Sequence, residues 1–155
     1  MIFILDIDGT IADITHRLHF IGATATTHVP YDGVKDWTKF YAAAVDDKPI
    51  FETITVARAL EKAGHTIVYS TGRGSGNRTN TLAWLTKYRL PSGLLFMRED
   101  KDYREDYIVK SELLDQILNY YKGKEISGVF EDRQQVVDMY RARGLRVFQV
   151  APGKF

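Results

Sequence analysis

The chain has 155 residues and a formal net charge of +1, with 45% hydrophobic and 26% charged residues. This balance fits one soluble globular domain over residues 1–155 and gives no global argument for nucleic-acid binding. The chain contains no cysteine, which excludes disulfides and thiolate metal sites and fits a reducing cytoplasm. Neither a run of about 18 apolar residues nor a signal-peptide pattern is present, so we expect a cytoplasmic protein that does not contact a membrane.

Short apolar, β-rich runs alternate with stretches of helical periodicity, a pattern typical of a parallel sheet with crossover helices. The predicted strands are Ile2–Asp8, Thr66–Ser70, Leu94–Met97, Ile126–Phe130 and Arg146–Val150. One helix is predicted to begin near Pro49, and helices are predicted to end at Gly64, Gly123 and Gly144, because glycine readily takes the left-handed conformation. Right-handed crossovers then predict an α/β three-layer sandwich whose five-stranded parallel sheet has the order 3-2-1-4-5.

The first crossover, between Ile11 and Lys48, is longer than an ordinary strand-to-helix loop. Two groups of residues in it have helical spacing, namely Ile11, Ile14, Leu18 and Ile21, and Trp37, Phe40, Tyr41 and Ala44. We therefore predict a small helical insertion over about residues 12–48, beside the sheet edge where open parallel sheets bind ligands. An insertion of this size should leave the site open to substrates that are larger than a phosphate.

The run Asp6-Ile7-Asp8-Gly9-Thr10 follows the first apolar run and carries the strongest chemical signal. Alternate residues of a strand share a face, so Asp6 and Asp8 can point together, while Gly9 permits a sharp turn. Two close carboxylates at a buried strand end repel each other, and a divalent cation with oxygen ligands, such as Mg²⁺, relieves that repulsion. The alternative is a solvated turn after the first strand.

This run resembles the opening motif of the haloacid dehalogenase superfamily, whose phosphatases carry a DxDGT sequence after the first strand. The other family signatures follow in order, as Thr71 after the second strand, Lys110 before the fourth, and Glu131-Asp132 at its end. The resemblance implies a Rossmann-like core and a phosphatase chemistry. Asp6 would be the nucleophile, and Asp8 would protonate the leaving oxygen and later activate water.

The resemblance also implies a set of metal ligands. Mg²⁺ would be held by Asp6, the Asp8 backbone carbonyl and Asp132, with Glu131 in a second layer or acting through water. For the pair Glu131-Asp132, a helix N-cap before residues 133–143 is an alternative role, and both roles are compatible.

Thr71 and Lys110 complete the phosphate site that the resemblance implies. Thr71, at the start of a helix, would offer its hydroxyl to the transferring phosphoryl oxygens. Lys110 would compensate the charge of the same group as a point cation. A lysine near a helix start is more often a surface residue, and it is the position of Lys110 between Thr71 and Glu131 that favours the functional role.

A narrower resemblance, to the phosphatase domain of phage polynucleotide kinase-phosphatases, covers nearly the whole chain. It is carried by Asp6–Thr10, Arg17, Thr71-Gly72-Arg73, Arg98-Glu99, Asp106, Val109-Lys110, Glu131–Val137 and Phe148–Ala151. It implies removal of 3′-phosphates from nucleic-acid ends, with Arg17 and Arg73 in contact with the substrate phosphate or its neighbours and with Arg98 and Asp106 at the pocket rim. A surface ion pair is the alternative role for these four residues. The sequence departs from this pattern at Glu131, where the relatives have Asp, and in lacking a kinase domain with a Walker-type loop.

Two other functions compete with a 3′-phosphatase. A phosphatase of nucleoside monophosphates would use the same core chemistry. A phospho-receiver module also combines acids, a hydroxyl and a lysine with Mg²⁺, but its phosphorylated Asp lies by family resemblance on the third strand, and Leu94–Met97 contains none.

We predict a phosphorylated nucleic-acid end or a nucleotide as the partner, in the host cytoplasm if the protein is encoded by a phage. Four aromatic residues are candidates for stacking on a base, with Tyr103 foremost, although packing is their commoner role: Trp37, Trp84, Tyr103 and Tyr107.

Overall fold

The computed structural model describes residues 1–22 and 34–153. The strands are β1 (Ile2–Leu5), β2 (Ala12–Asp13), β3 (Lys48–Pro49), β4 (Thr66–Gly74), β5 (Gly93–Arg98), β6 (Ile126–Arg133) and β7 (Val147–Gly153). The α-helices are α1 (Trp37–Ala42), α2 (Phe51–Lys62), α3 (Arg78–Lys87), α4 (Asp106–Tyr120) and α5 (Gln134–Ala142), and 3₁₀ helices span Thr15–Ile21, Ala43–Asp46 and Ser75–Asn77. Within these described ranges, no helix is both long enough and apolar enough to cross a membrane.

Five strands of the described chain form one parallel sheet in the order β5-β4-β1-β6-β7. Numbered within the sheet, this is the predicted order 3-2-1-4-5, with the first strand at the centre. The crossovers leave this central strand toward both sides, so the carboxyl ends of β1, β4 and β6 are neighbours. The edge formed by those three ends is where an open parallel sheet binds its ligand.

Alternate side chains of β1 pack into two separate cores, one on each face of the sheet. Phe3 and Leu5 join a buried cluster with residues of α2 and α3. Ile2 and Ile4 join a second cluster with residues of α4 and α5. Because each such side chain contributes about 1.5–3 kcal/mol when it is buried, β1 is held strongly from both sides. The predicted three-layer α/β fold is confirmed.

The observed strands differ from the predicted ones mainly at their carboxyl ends. The ladder of β1 ends at Leu5, because the chain turns at Ile7, whose carbonyl accepts the N–H groups of Thr10, Ile11 and Ala12. In contrast, β4, β6 and β7 extend three or four residues beyond their predicted ends. Apolar runs define the predicted strands, whereas backbone pairing continues beyond them, and in β6 it continues through Glu131, Asp132 and Arg133, which line the site.

The described part of the insertion has its own small core of Ile14, Leu18, Ile21 and Phe40. The described part carries the 3₁₀ helix Thr15–Ile21 and the short helix α1, and residues 23–33 of the predicted insertion lie outside the described residues. Sequence patterns did not indicate the two-residue ladder between β2 and β3, which joins the two ends of the insertion. Pro49 lies in that ladder and not in the first turn of α2, which begins at Phe51.

Candidate active site

Three buried carboxylates meet where β1 and β6 end, and we call Asp6, Glu131 and Asp132 the acid cluster. One oxygen from each of the three lies within 4.8 Å of the others. Asp6 follows β1, and its N–H donates to the Phe130 carbonyl of β6 at 3.0 Å, so the pairing of neighbouring strands brings the carboxylates together. All three residues are at most 4% exposed, and their ionised forms therefore require a compensating charge.

Lys110 of α4 supplies part of that charge from inside the protein. Its Nζ donates to Asp6 Oδ1 at 2.6 Å and to Glu131 Oε2 at 2.7 Å. Burial alone would lower the pKa of this ammonium group, but the carboxylates of Asp6 and Glu131 raise the Lys110 pKa well above its ordinary value. Lys110 is therefore charged at neutral pH and balances one negative charge of the acid cluster.

The rest of the negative charge in the acid cluster is not balanced. Burial, with the nearby charge of Glu131, raises the pKa of Asp6 to about 8. Burial likewise raises the pKa values of Glu131 and Asp132 to about 7. Among the described residues, the buried Oδ1 of Asp132 has no hydrogen-bond partner. Close, buried carboxylate oxygens are the donors that a hard divalent cation such as Mg²⁺ prefers, so the acid cluster, with this one oxygen left without a partner, fits such an ion.

Glu131 and Asp132 differ in how their side chains are held. Glu131 Oε1 accepts the backbone N–H groups of Asp132 at 3.2 Å and of Arg133 at 3.1 Å. The side chain of Asp132 caps no helix, and α5 has Arg133 as its N-cap residue without a side-chain cap bond. The alternative N-cap role therefore does not explain Asp132, while Glu131 satisfies the two backbone donors that precede α5.

Gly9 fits against Asp132 in a way that only glycine permits. Its φ of +81° lies in the left-handed region, and a Cβ at this position would collide with Asp132 Oδ2. The next residue, Thr10, donates its hydroxyl to Asp6 Oδ2 at 3.0 Å. The turn after β1 therefore orients Asp6 directly and leaves room for Asp132.

Asp8 is held by two buried arginines, Arg17 and Arg73, which we call the arginine pair. Asp8 Oδ1 accepts a bond from Nη2 of each arginine at 2.6 Å and from Nε of Arg73 at 3.0 Å. Burial alone would raise the pKa of Asp8, but the charges and hydrogen bonds of Arg73 and Arg17 lower it to about 2. Asp8 is therefore ionised at neutral pH before substrate binds, and proton donation requires its pKa to rise afterwards.

Asp47 anchors the arginine pair from the opposite side, and sequence reasoning missed it. Its Oδ1 accepts Nε of Arg17 at 2.7 Å, while its Oδ2 accepts Nη2 of Arg17 at 2.7 Å and Nη2 of Arg73 at 2.9 Å. His16 Nε2 lies 2.9 Å from Asp47 Oδ1. Asp47 is fully buried, so two carboxylates and two guanidinium groups form a compact, charge-balanced network. No local motif marks Asp47, because its partners lie far away in sequence.

In this structure the arginine pair is engaged by carboxylates of the protein, so its contact with the substrate phosphate or the neighbouring groups stays a prediction. Arg17 and Arg73 are 0% and 2% exposed, and their guanidinium groups are engaged by Asp8 and Asp47. Motif order along the chain did not reveal which carboxylates would occupy them. Thr71 also differs from its expected place, because it lies within β4 and not at a helix start, and its hydroxyl accepts the Arg73 N–H at 3.2 Å.

A small pocket opens beside the acid cluster. Its volume is about 60 Å³, far below the roughly 300–1,000 Å³ of pockets that enclose a drug-sized ligand, so a whole nucleotide cannot be enclosed. The lining residues are Asp6, Asp8, Trp37, Phe40, Tyr41, Gly72, Arg98, Asp106, Lys110, Glu131, Asp132 and Arg133. The predicted residues Asp6, Asp8, Lys110 and Asp132 therefore share one pocket.

Arg98 and Asp106 both lie at this pocket and bind each other. Arg98 Nη2 donates to Asp106 Oδ1 at 3.1 Å, and Arg98 Nε donates to the Gly72 carbonyl at 2.9 Å. Nη1 of Arg98 also reaches the Arg104 carbonyl at 2.7 Å, so this one side chain connects β4, β5 and the segment before α4. Arg133, which sequence reasoning did not single out as a site residue, lies 3.4 Å from Asp106 Oδ2 and adds a second cation to this wall.

Comparison with known proteins identifies the family. The model of the polynucleotide kinase PNKP phosphatase domain matches residues 35–155, and the chain belongs to this family. A protein of Autographa californica nuclear polyhedrosis virus, named as a bifunctional polynucleotide kinase/RNA ligase, is 31% identical over 139 residues, or 88% of this chain and 17% of the viral protein. The predicted haloacid dehalogenase-type phosphatase is thereby confirmed.

Solved structures show the same fold. A chain in the Pnkp1/Rnl/Hen1 RNA repair complex matches with a TM-score of 0.75 and 30% identity, over 99% of this chain and 43% of that one. The class C acid phosphatase from Bacillus anthracis matches with a TM-score of 0.64 and 16% identity, over 99% of this chain and 67% of that one. The chain thus spans less than half of the repair-complex chain, and the second match concerns the fold alone.

Proposed function

We propose that this chain is a phosphatase domain that removes 3′-phosphates from polynucleotide ends, using Mg²⁺ and a phosphorylated Asp6. The observation that carries the proposal is the acid cluster with Lys110, in which the buried Asp132 Oδ1 has no partner among the described residues. The family supports the phosphatase chemistry. The names of the viral relative and of the RNA repair complex support a polynucleotide end as the substrate.

Asp6 is the proposed nucleophile. One of its carboxylate oxygens attacks phosphorus, the bond from phosphorus to the sugar oxygen breaks, and an aspartyl phosphate forms. With a pKa of about 8, Asp6 is not favoured as a carboxylate by the protein alone. Bound Mg²⁺ would supply positive charge that keeps Asp6 ionised and reduces its repulsion with the substrate. Asp6, Asp132 and the Asp8 carbonyl would hold the ion, with Glu131 in a second layer because Lys110 and the backbone already bind it.

Asp8 is the proposed proton carrier. The negative charge of an arriving phosphate raises the pKa of Asp8, which then binds a proton from solvent and gives it to the departing sugar oxygen. The resulting carboxylate next takes a proton from the water that hydrolyses the aspartyl phosphate. The arginine pair binds Oδ1 of Asp8, which leaves Oδ2 as the oxygen for proton transfer.

Lys110 and Thr71 are the proposed contacts of the phosphoryl oxygens. Lys110 lines the pocket and already binds Asp6, so its Nζ is close to where the phosphoryl group would form. The position of Thr71 gives its role weaker support, because its buried hydroxyl accepts the Arg73 N–H. At the pocket wall, the bonded pair of Arg98 and Asp106 would shape the rim and so affect how the substrate binds.

The deciding experiment compares three substrates under one Mg²⁺ condition: a 3′-phosphorylated oligonucleotide, its 5′-phosphorylated twin, and mononucleotides. We expect the highest kcat/KM for the 3′-phosphorylated end. A large preference for mononucleotides would instead establish the alternative, a small-molecule phosphatase. Salt titration of oligonucleotide binding adds a second test, since each phosphate contact steepens the dependence on salt.

The chemistry has its own test in Asp6→Asn and Asp8→Asn. Each change is expected to abolish Mg²⁺-dependent phosphate release, because one removes the nucleophile and the other the proton carrier. Circular dichroism and thermal unfolding should show that both variants remain folded. Full turnover by Asp6→Asn would refute the aspartyl-phosphate mechanism.

We also propose a cytoplasmic location. The chain contains no cysteine, which suits a reducing compartment. The viral source of one relative supports an action in the cytoplasm of an infected host, should the gene be viral. Fractionation of cells that express the tagged protein would test this placement.

A further inference from the structure

We propose that Trp37 and Tyr41 of α1 form a docking surface for the nucleobase of the substrate's terminal nucleotide. This inference rests on the proposed function, because it states which part of a polynucleotide end meets the wall of the pocket. The predicted consequence is that the protein gains binding energy from the last base without reading its identity. Stacking uses the π-face that every base possesses.

The structure separates Trp37 from the other aromatic candidates. Trp84 is only 3% exposed, and its indole Nε1 donates to the Asp47 carbonyl at 2.9 Å, so it is a core residue. Tyr103 and Tyr107 are 84% and 40% exposed, but neither lines the pocket beside the acid cluster. Trp37 both lines that pocket and is 37% exposed, which makes it available to a ligand that enters the pocket.

Trp37 and Tyr41 lie one helical turn apart on α1, so their rings share a face of the helix. The ring centroids are 6.0 Å apart, and the planes are inclined by 25°. Phe40, buried between α1 and the rest of the insertion, packs edge-on against Trp37 with centroids 5.6 Å apart. The ring of Phe40 therefore supports the aromatic surface.

Two contacts fix this surface relative to the catalytic carboxylates. The guanidinium carbon of Arg17 lies 4.2 Å from the centroid of Phe40, and the same guanidinium binds Asp8. The hydroxyl of Tyr41 donates to the Gly72 carbonyl at 3.2 Å, which joins α1 to the end of β4. A base placed on Trp37 is thus held at a defined position beside the phosphoryl site.

The size and charge of the pocket also favour a nucleotide. A cavity of about 60 Å³ can hold the phosphoryl group but not the nucleoside, which must lie at the mouth. The pocket lining combines the aromatic rings of Trp37, Phe40 and Tyr41 with the guanidinium groups of Arg98 and Arg133, which both pair with Asp106. An apolar, flat base beside an anionic backbone matches this combination, whereas an alkyl or simple sugar phosphate lacks a group that would use Trp37.

The test combines substitutions in the protein with changes in the substrate and compares kcat/KM for every pair. Oligonucleotides with a 3′-phosphate carry either a normal terminal nucleotide or an abasic tetrahydrofuran residue at that position. The enzymes are the natural protein, Trp37→Ala, Trp37→Phe, and Tyr120→Ala as a control for loss of an aromatic residue that is 64% exposed and does not line the pocket. Hydrolysis of glycerol 2-phosphate, an alkyl phosphate without a ring, checks the catalytic centre.

For the normal end, we expect Trp37→Ala to lower kcat/KM by about 5- to 150-fold, the range that loss of one stacked base produces. For the abasic end, the natural protein should show the same loss, and Trp37→Ala should add little to it. Trp37→Phe should retain most of the activity, Tyr120→Ala should resemble the natural protein, and glycerol 2-phosphate turnover should change less than twofold.

Other outcomes overturn the proposal. An equal loss on normal, abasic and glycerol 2-phosphate substrates would mean that Trp37 only supports the fold, and no loss on the normal end would mean that the base does not contact it. If the natural protein hydrolysed glycerol 2-phosphate but neither oligonucleotide, the proposed function would fail. In that case, anisotropy of the Asp6→Asn protein with labelled 3′-phosphorylated dinucleotide still tests the surface, because unchanged affinity after Trp37→Ala would reject base docking.

Discussion

Asp132→Asn is expected to stabilise the metal-free protein while it abolishes Mg²⁺-dependent activity. Asp132 is 2% exposed, and its Oδ1 has no hydrogen-bond partner among the described residues. Burial, followed by the nearby charge of Asp6, raises its pKa from 3.8 to about 7. At 1.36 kcal/mol for each pH unit, that rise corresponds to about 4 kcal/mol at pH 8. Because the neighbouring acids share protons with Asp132, we expect a smaller gain of about 1–3 kcal/mol from the neutral amide.

Addition of Mg²⁺ should reverse this order of stability. Mg²⁺ at 100 times its Kd would stabilise the natural protein by about 2.7 kcal/mol through mass action. For a protein of this length, 1 kcal/mol corresponds to a shift of about 2–4 °C in Tm. The asparagine variant replaces a charged oxygen ligand with a neutral one, so most of its Mg²⁺-dependent shift should disappear.

Differential scanning calorimetry at pH 8, in EDTA and in Mg²⁺, measures both effects. Asp138→Asn is the matched control, since Asp138 is an exposed carboxylate on α5 that accepts a bond from Gln134 at 2.8 Å. That control should change stability by no more than about 0.5 kcal/mol and should keep the response to Mg²⁺. A lower Tm of Asp132→Asn in EDTA would refute the reasoning, because it would show that the Asp132 carboxylate stabilises the fold.

The remaining predictions concern the network behind Asp8, the acid cluster and the turn after β1. Asp47→Asn removes the charge that anchors the arginine pair, so urea unfolding should show a loss of about 3–5 kcal/mol in the free energy of unfolding. The value of kcat/KM should also fall at least tenfold. A variant as stable as the natural protein would contradict the network. In EDTA, the free energy of unfolding should fall between pH 5 and pH 7. The expected slope is about 1.4 kcal/mol per pH unit for each proton that the acid cluster holds in the folded protein and loses in the unfolded chain. The sign follows because these pKa values are raised in the folded state, so their stabilising effect is present at low pH and is lost as pH rises toward 7 and 8; a rise in stability over this range would disprove it. Gly9→Ala should impair both stability and Mg²⁺ binding, whereas Gly64→Ala, with a similar φ of +84° and no atom within 4 Å of the added Cβ, should cost only the backbone strain of about 1–2 kcal/mol. Equal effects of the two glycine changes in a thermal-shift assay would show that the contact with Asp132 is unimportant.

The sequence by itself determined the layered fold and the identity of the acids at the sheet edge. Short, nearly continuous apolar runs and the helical spacing between them are local properties, and right-handed crossovers convert them into one strand order. The position of Asp6 immediately after β1, and of Glu131 and Asp132 at the end of β6, then requires that these carboxylates meet. Strand ends were less predictable, since backbone pairing continues through polar residues.

Only the tertiary structure decided how the charges are paired and which aromatic residues reach the pocket. The arginine pair had been expected at the substrate phosphate, but Asp47, 30 residues from Arg17, holds it on Asp8. Trp84 and Trp37 have similar sequence signals, yet one is buried in the core and the other lines the site. The physical reason is that periodicity and turn chemistry act over a few residues, whereas the partner of a buried charge is selected when distant segments pack and exclude water.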